Sequence, residues 1–301
     1  MPCCTQISDG VYVVGPPENP VFLLDTDMPF VIDGGFSFLT SVYLDAIKHI
    51  LGNRPLHCCF LTHSHFDHCG SVAYFKQQYP ELTAFASGVA QKVFNKPSAI
   101  SLMKKLTRAA ADITHHYFGI TVEQIETYPF IPFTIDQAIH DDGIEICAGS
   151  EVTVRGIPTP GHTRDCISYY IPEKKLLFSS EALGIADPTG YIFSEFLIDY
   201  DMYLESAKRL QELDVDILCI GHNYVYKGES AKQYIIDSIR HCVEFYELVS
   251  SCLTKENFDI QRVMKRIKAI EYDGKSSPQQ PEPAYLLNLD AKITVVKKRM
   301  L

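Results

Sequence analysis

Residues 62–70 read Thr-His-Ser-His-Phe-Asp-His-Cys-Gly and put four metal-capable side chains, His63, His65, Asp67 and His68, within six positions. They follow an apolar run, Cys58-Cys59-Phe60-Leu61, that reads as a buried strand. His63 and His65 are two apart, so on an extended backbone they project to the same side. Asp67 and His68 then fall at a turn where Gly70 is expected to open a helix. Such a loop can set two pairs of ligands around two neighbouring metal ions, and imidazole with carboxylate suits zinc, iron or manganese. A lone histidine is usually a satisfied core or surface residue. Four ligand-type residues gathered at one strand end do not fit that explanation.

A dinuclear site needs more ligands than one loop supplies, and the chain offers three more, each just past a short apolar run. His162 follows Val152–Ile157 in Thr159-Pro160-Gly161-His162-Thr163, where Pro160 and Gly161 favour a turn. Glu181 follows Leu176-Leu177-Phe178, and His222 follows Ile217-Leu218-Cys219-Ile220. Open α/β sheets place their sites beyond strand ends in the same way.

In order and content these pieces, Thr62–Gly70, Thr159–Thr163, Phe178–Gly184 and Gly221–His222, resemble the metallo-β-lactamase superfamily over roughly residues 10–225. The resemblance implies an α/β, four-layer αββα sandwich. It also implies a metal at His63, His65 and His162, a second at Asp67, His68 and His222, and a carboxylate at position 181 bridging both. Glu181 departs from the family's pattern, which has Asp preceded by Gly where this chain has Ser180-Glu181. The extra methylene must fold back or push the metals, so the second site is expected to be weakened or altered in metal preference.

The elements that would carry these residues can be read along the chain. Strands are expected at Val11–Val14, Val21–Leu24 and Phe30–Asp33, separated by turn residues. Asp33 is either a plain turn former or, as the family resemblance suggests, an acidic residue beneath the metal loop. Helical spacing marks 39–51, and a helix is expected over 70–79, followed by a strand at about 82–86. Residues 97–119 break the strand–helix rhythm as an inserted helix, capped by Ser98, with Leu102, Leu106, Ala109 and Ile113 on its apolar face. His115 and His116 near its end are candidates for substrate contact or for favourable interaction with the helix dipole. Strands resume from Ile135 to Ser180, with a turn at Asp142-Gly143, and a helix is expected over 199–213. Two strand sets separated by the insertion give a domain at 1–225. Helices at about 228–253, 256–270 and 284–299 form a C-terminal extension, 226–301, with Pro278, Pro281 and Pro283 before the last. That extension could cap the active-site mouth, pack on the outer sheet face or form a homodimer contact.

Composition narrows the function classes. The net charge of -10 argues against nucleic acid or an anionic membrane as partner, and leaves a small-molecule substrate. No apolar run reaches the roughly 18 residues of a membrane-spanning helix. The first residues, Met1-Pro2-Cys3-Cys4-Thr5, lack a basic region and apolar core, and ten cysteines without a Cys-x-x-Cys pair suit reduced thiols in a cytoplasm. Cys69, beside the metal motif, reads as a packing residue in preference to a redox-sensitive one. Gly274-Lys275-Ser276 lacks the first glycine of a phosphate-binding loop, and no Gly-x-Ser-x-Gly elbow occurs.

A narrower resemblance, to the thioesterase-like quinolone-signal response branch of the superfamily, runs through Pro20–Leu24, Leu61–Gly70, Glu181–Gly184, Tyr203–Ser206 and Arg209–Gln211. It implies a dinuclear-metal hydrolase acting on a thioester such as an acyl-CoA. The metals would share a hydroxide that Asp67 helps to orient. A lactone or phosphodiester substrate remains open on the same fold. So does a regulatory protein that keeps the fold and metal but works through a partner.

Overall fold

Several strands are apolar at every position because both of their faces are covered. Phe22, Leu24, Phe30, Ile32, Cys58 and Phe60 face one core, while Leu23, Val31, Cys59 and Leu61, alternating with them, face another. The computed structural model describes residues 3–150, 152–275 and 280–301; Pro278 and Ser276 lie outside them.

The first half carries strands β1 (Cys4–Ser8), β2 (Val11–Val14), β3 (Val21–Leu24), β4 (Phe30–Ile32), β5 (Cys58–Phe60), β6 (Thr83–Ser87) and β7 (Gln137–Ile139). They form one seven-stranded sheet in sequence order, antiparallel up to β4 and parallel from β4 to β7. The helices of this half are α1 (Thr40–Leu51), α2 (Phe66–Cys69), α3 (Val72–Gln78), α4 (Gly88–Phe94), α5 (Pro97–Phe118) and α6 (Val122–Thr127). The second half contributes β8 (Ile144–Cys147), β9 (Thr153–Pro158), β10 (Ile167–Ile171), β11 (Leu176–Ser180), a small hairpin β12 (Ile185–Ala186) and β13 (Ile192–Phe193), then β14 (Ile217–Ile220) and β15 (Val225–Lys227). Its main sheet runs β15-β14-β11-β10-β9-β8, with β11 and β14 parallel. Its helices are α7 (Tyr200–Gln211), α8 (Glu229–Lys255), α9 (Ile260–Glu271) and α10 (Glu282–Met300).

The two sheets share an inner core, in which Phe22, Phe30, Phe60 and Phe85 meet Tyr169, Phe178 and Cys219. α1 and α3 cover the outer face of the first sheet, and α7 with the start of α8 covers that of the second. The result is the αββα sandwich. Beyond Tyr234 and Ile235, which sit on the second sheet, α8 joins α9 and α10 in a further apolar cluster with Phe196, Tyr200 and Tyr203. Among the described residues no helix is long and apolar enough to cross a membrane.

Several sequence expectations are corrected here. The strand sets divide at the Asp142-Gly143 turn and not at the helical insertion, because β7 pairs in parallel with β6 after the chain has passed through α5 and α6. The helix expected over 70–79 is α3, Val72–Gln78; what the structure adds is α2, a separate short helix that holds Asp67 and His68 and ends before Gly70. A Cβ on Gly70 would lie 2.4 Å from the Ser37 nitrogen and 2.7 Å from the Gly35 oxygen, so only glycine permits that approach. Ser98 does not cap α5. Lys96 occupies the cap without a side-chain bond, and Pro97 opens the helix at the position where its missing N–H is harmless. The inward face of α5 carries Met103, Thr107 and Ala111, while Leu102 and Ile113 are exposed. A buried threonine broke the hydropathy stripe and shifted its apparent centre. Beyond the elements expected from sequence, the structure has β1, a largely polar edge strand, and the short helices α4 and α6.

Candidate metal centre

β5 delivers the chain to the metal loop, and Asp33 fixes that loop from below. Its backbone has φ 65°, and its buried carboxylate accepts from the Thr62 amide at 2.8 Å and from the Thr62 hydroxyl at 2.9–3.0 Å. It also accepts from His68 Nδ1 at 2.8 Å. Asp33 is thus the acidic residue under the loop and not a plain turn former. Two more side chains hold the same loop: Asp165 accepts from the Ser64 amide at 2.7 Å, and Asn19 donates to the Asp67 carbonyl at 2.8 Å. Cys69 beside it is fully buried, and burial pushes its thiol well up, as befits a packing residue.

The other three candidates arrive from the second sheet. His162 follows Gly161, whose φ of 139° and missing side chain let the loop press on Tyr203; a Cβ there would lie 2.3 Å from the Tyr203 Cα. His162 Nδ1 donates to the Glu195 carbonyl at 2.8 Å. Glu181 leaves the end of β11 after Ser180, which has φ 49° and whose hydroxyl donates to Glu181 Oε2 at 2.5 Å. His222 leaves the neighbouring strand β14, and its Nδ1 donates to the Glu18 carbonyl at 2.7 Å. A Cβ on Gly221 would come within 2.9 Å of Glu181 Oε1, so this glycine makes room for the longer carboxylate.

All seven predicted residues converge. Ligand atoms of His63, His65 and His162 lie within 4.8 Å of one another, as do those of His63, His68 and Glu181, and those of Asp67, His68 and His222. Glu181 stands between the outer groups. Its Oε1 accepts from His68 Nε2 at 2.9 Å and from His222 Nε2 at 2.8 Å, and its Oε2 is 3.7 Å from His63 Nε2. His115 and His116 do not join these groups. His115 Nδ1 bonds the Ala111 carbonyl within α5, and the two rings lie against each other, tilted by 39°, with centroids 3.7 Å apart.

The electrostatics follow from burial and partners. Burial holds His63 well below the ordinary imidazole value, with the neighbouring His68 adding to the effect. Burial likewise brings His162 down to about 4. His63 is therefore neutral, and its approach to Glu181 is not an ion pair. Burial also opposes charge on His68, but Glu181 and Asp33 outweigh it and hold His68 well above the ordinary value. His222 is raised against burial by its bond to Glu181. Burial of Glu181 is in turn outweighed by His68 and His63 and by the bonds from His222 and His68, leaving its carboxyl well below the usual range.

His63 Nε2 is buried and has no hydrogen-bond partner among the described residues. A buried imidazole nitrogen left bare, beside two more histidines, fits a metal ion better than any protein contact. The donor set of the Asp67, His68 and His222 group, two imidazoles and one carboxylate with Glu181 beside them as a second, fits a divalent ion as well.

Three residues that shape the centre were not singled out from sequence: Asn19, Asp165 and Glu195. They act through pairings 33 to 101 residues apart.

Compared with known proteins, residues 13–222 match the Metallo-beta-lactamase superfamily. The chain is 29% identical over 173 residues to a hydroxyacylglutathione hydrolase of Bartonella tribocorum, covering 57% of this chain and 51% of that protein, about half its length. It is 25% identical over 172 residues to an atrochrysone carboxyl ACP thioesterase of Aspergillus fumigatus, covering 57% of this chain and 40% of that one. Among solved structures, an archaeal metallo-beta-lactamase superfamily protein from Sulfolobus tokodaii shares the fold, with TM-score 0.59 and 18% identity over 96% of this chain and 98% of its own.

Proposed function

Since this chain belongs to the metallo-β-lactamase superfamily, we propose that it is a dinuclear-metal hydrolase that cleaves a thioester such as an acyl-CoA. The observation that carries this reading is the convergence of two ligand groups on Glu181, with a bare buried nitrogen on His63. His63, His65 and His162 would hold one divalent ion, and Asp67, His68 and His222 a second, with Glu181 between them. When bound, such ions bring the pKa of a water toward neutrality and polarise a carbonyl oxygen.

The chain's own groups supply the rest. Asp33 and the Glu195 carbonyl orient His68 and His162, so the ligands are placed before substrate arrives. Asp67 Oδ2 lies 3.8 Å from Nε2 of both His68 and His222 and is partly exposed, placed to accept a hydrogen bond from an attacking water. A thiolate leaves with little need for protonation, because a thiol pKa is about 8.5. A thioester therefore suits a site without a dedicated general acid. The names of two relatives, a hydroxyacylglutathione hydrolase and an ACP thioesterase, support the acyl-transfer class. Ten free cysteines, seven of them buried, suit a reducing compartment such as the cytoplasm.

Acyl-CoA turnover by the wild type and by His63→Ala/His65→Ala tests the reading. The double variant should lose at least the ~10²–10³-fold that removal of one oxyanion-stabilising group alone costs. Full turnover by that variant would refute the proposal.

A further inference from the structure

The C-terminal helix α10 sends a lysine into the interior. Lys292 is 0% exposed, and its Nζ lies 3.4 Å from Oε1 of Glu195, itself buried. Asn288, one turn earlier on α10, donates to the other carboxylate oxygen at 3.1 Å. The Phe245 ring of α8 lies against the lysine's head, its centroid 5.0 Å from Nζ. Glu195 thus has both oxygens tied to α10, while its backbone carbonyl accepts from His162 Nδ1 at 2.8 Å. The adjoining amides of Ile198 and Asp199 bond the Gly161 carbonyl, so this segment and the His162 loop are laced together.

A buried ion pair is a weak source of stability, because desolvation offsets most of its attraction. What it does well is fix one geometry. We propose that Lys292 and Asn288 are positioning residues: through Glu195 they set the carbonyl that aims the His162 ring, and so make the C-terminal helical extension part of the first metal group. The inference rests on the reading that His63, His65 and His162 hold a metal. Partners one step behind a ligating histidine fix its tautomer and ring orientation, and their loss costs about 10–100-fold in metal affinity.

The test uses zinc titration with a competing chelator on the full chain carrying His222→Ala, which leaves only the His63, His65 and His162 group complete. Into that background go Glu195→Gln with Lys292→Met, which removes both charges together, and separately Asn288→Ala, which strands no charge. The melting temperature of the metal-stripped protein is recorded alongside. We expect each variant to bind zinc about 10–100-fold more weakly at a temperature where it is fully folded. The same variants should leave the Asp67, His68 and His222 group unchanged in a His65→Ala background. Unchanged affinity in a folded variant overturns the inference and leaves the hydrolase reading standing. Equal weakening of both groups also overturns it, since that marks a general structural role. A parent chain that takes up no zinc overturns both. If the double variant does not fold, Asn288→Ala decides.

Discussion

Burial holds His63 well below and His162 down at about 4, whereas His68 and His222, gathered around the same Glu181, are held above the ordinary imidazole value. The first group is all imidazole, the second adds the Asp67 carboxylate, and the histidines of the two differ in charge. The cause is hydrogen-bond geometry. His68 is gripped by Asp33 and Glu181 at 2.8 and 2.9 Å, while His63 offers a bare nitrogen 3.7 Å from the same glutamate. The first group presents lone pairs ready for an ion. The second must release protons first, so its loading is tied to pH.

The comparison breaks most sharply at Asp33. Asp33→Ala leaves a charged, buried His68 with one partner fewer, and breaking a buried pair costs about 3–5 kcal/mol. The melting temperature of the stripped protein should fall accordingly, and zinc at the second group should weaken, while the first group keeps its affinity in any protein that stays folded. Equal weakening of both groups would show that Asp33 serves the loop as a whole.

Glu181→Asp sharpens the contrast from the other side. A side chain shorter by one methylene cannot keep both 2.8–2.9 Å bonds, so His68 should give up its proton more readily. A change of one pKa unit is about 1.4 kcal/mol, so the second zinc equivalent should bind about tenfold more tightly. Elemental analysis of both proteins purified without added metal reads the same effect as stoichiometry. No change in either measurement would mean that the longer carboxylate does not hold back the second ion.

The smallest effect is the pH slope. The raised His68 stabilises the stripped fold fully below its unfolded pKa of about 6.5, and that stability is lost as pH rises through the folded value. Zinc affinity at the second group runs the opposite way, rising with pH over the same span. His63, already neutral, should give the first group a flatter profile above neutrality. Matching slopes for the two groups would remove the distinction.

The sequence made the ligands legible because they are local or sit next to recognisable strand ends. Thr62–Gly70 could be read from spacing alone. Glu181 and His222 each followed a run whose apolar residues alternate between two buried faces, and His162 a run that puts Val152 and Val154 into the inner core. What could not be read was the support behind them. Asp165 reaches Ser64 across 101 residues and Glu195 reaches His162 across 33, and neither spacing leaves a local pattern. The inward face of α5 was misread for a related reason: Thr107 is buried by tertiary contact and looks polar in the one-dimensional stripe. The strand sets were divided too early because β7 returns to the first sheet only after the long excursion through α5 and α6.

The parallel pairing of β11 with β14 has a consequence for the order in which the molecule can assemble. β14 is an inner strand, flanked by β11 and β15, yet it is among the last strands in the chain. The first ligand group is complete in sequence at His162, whereas the second waits for His222 on that late strand. During synthesis the centre is therefore built in two instalments. An ion held by either group would tie residues carried by the first sheet to residues carried by the second. By mass action, loading should stabilise the folded chain further, because an ion that binds it and not the unfolded form shifts the balance toward it.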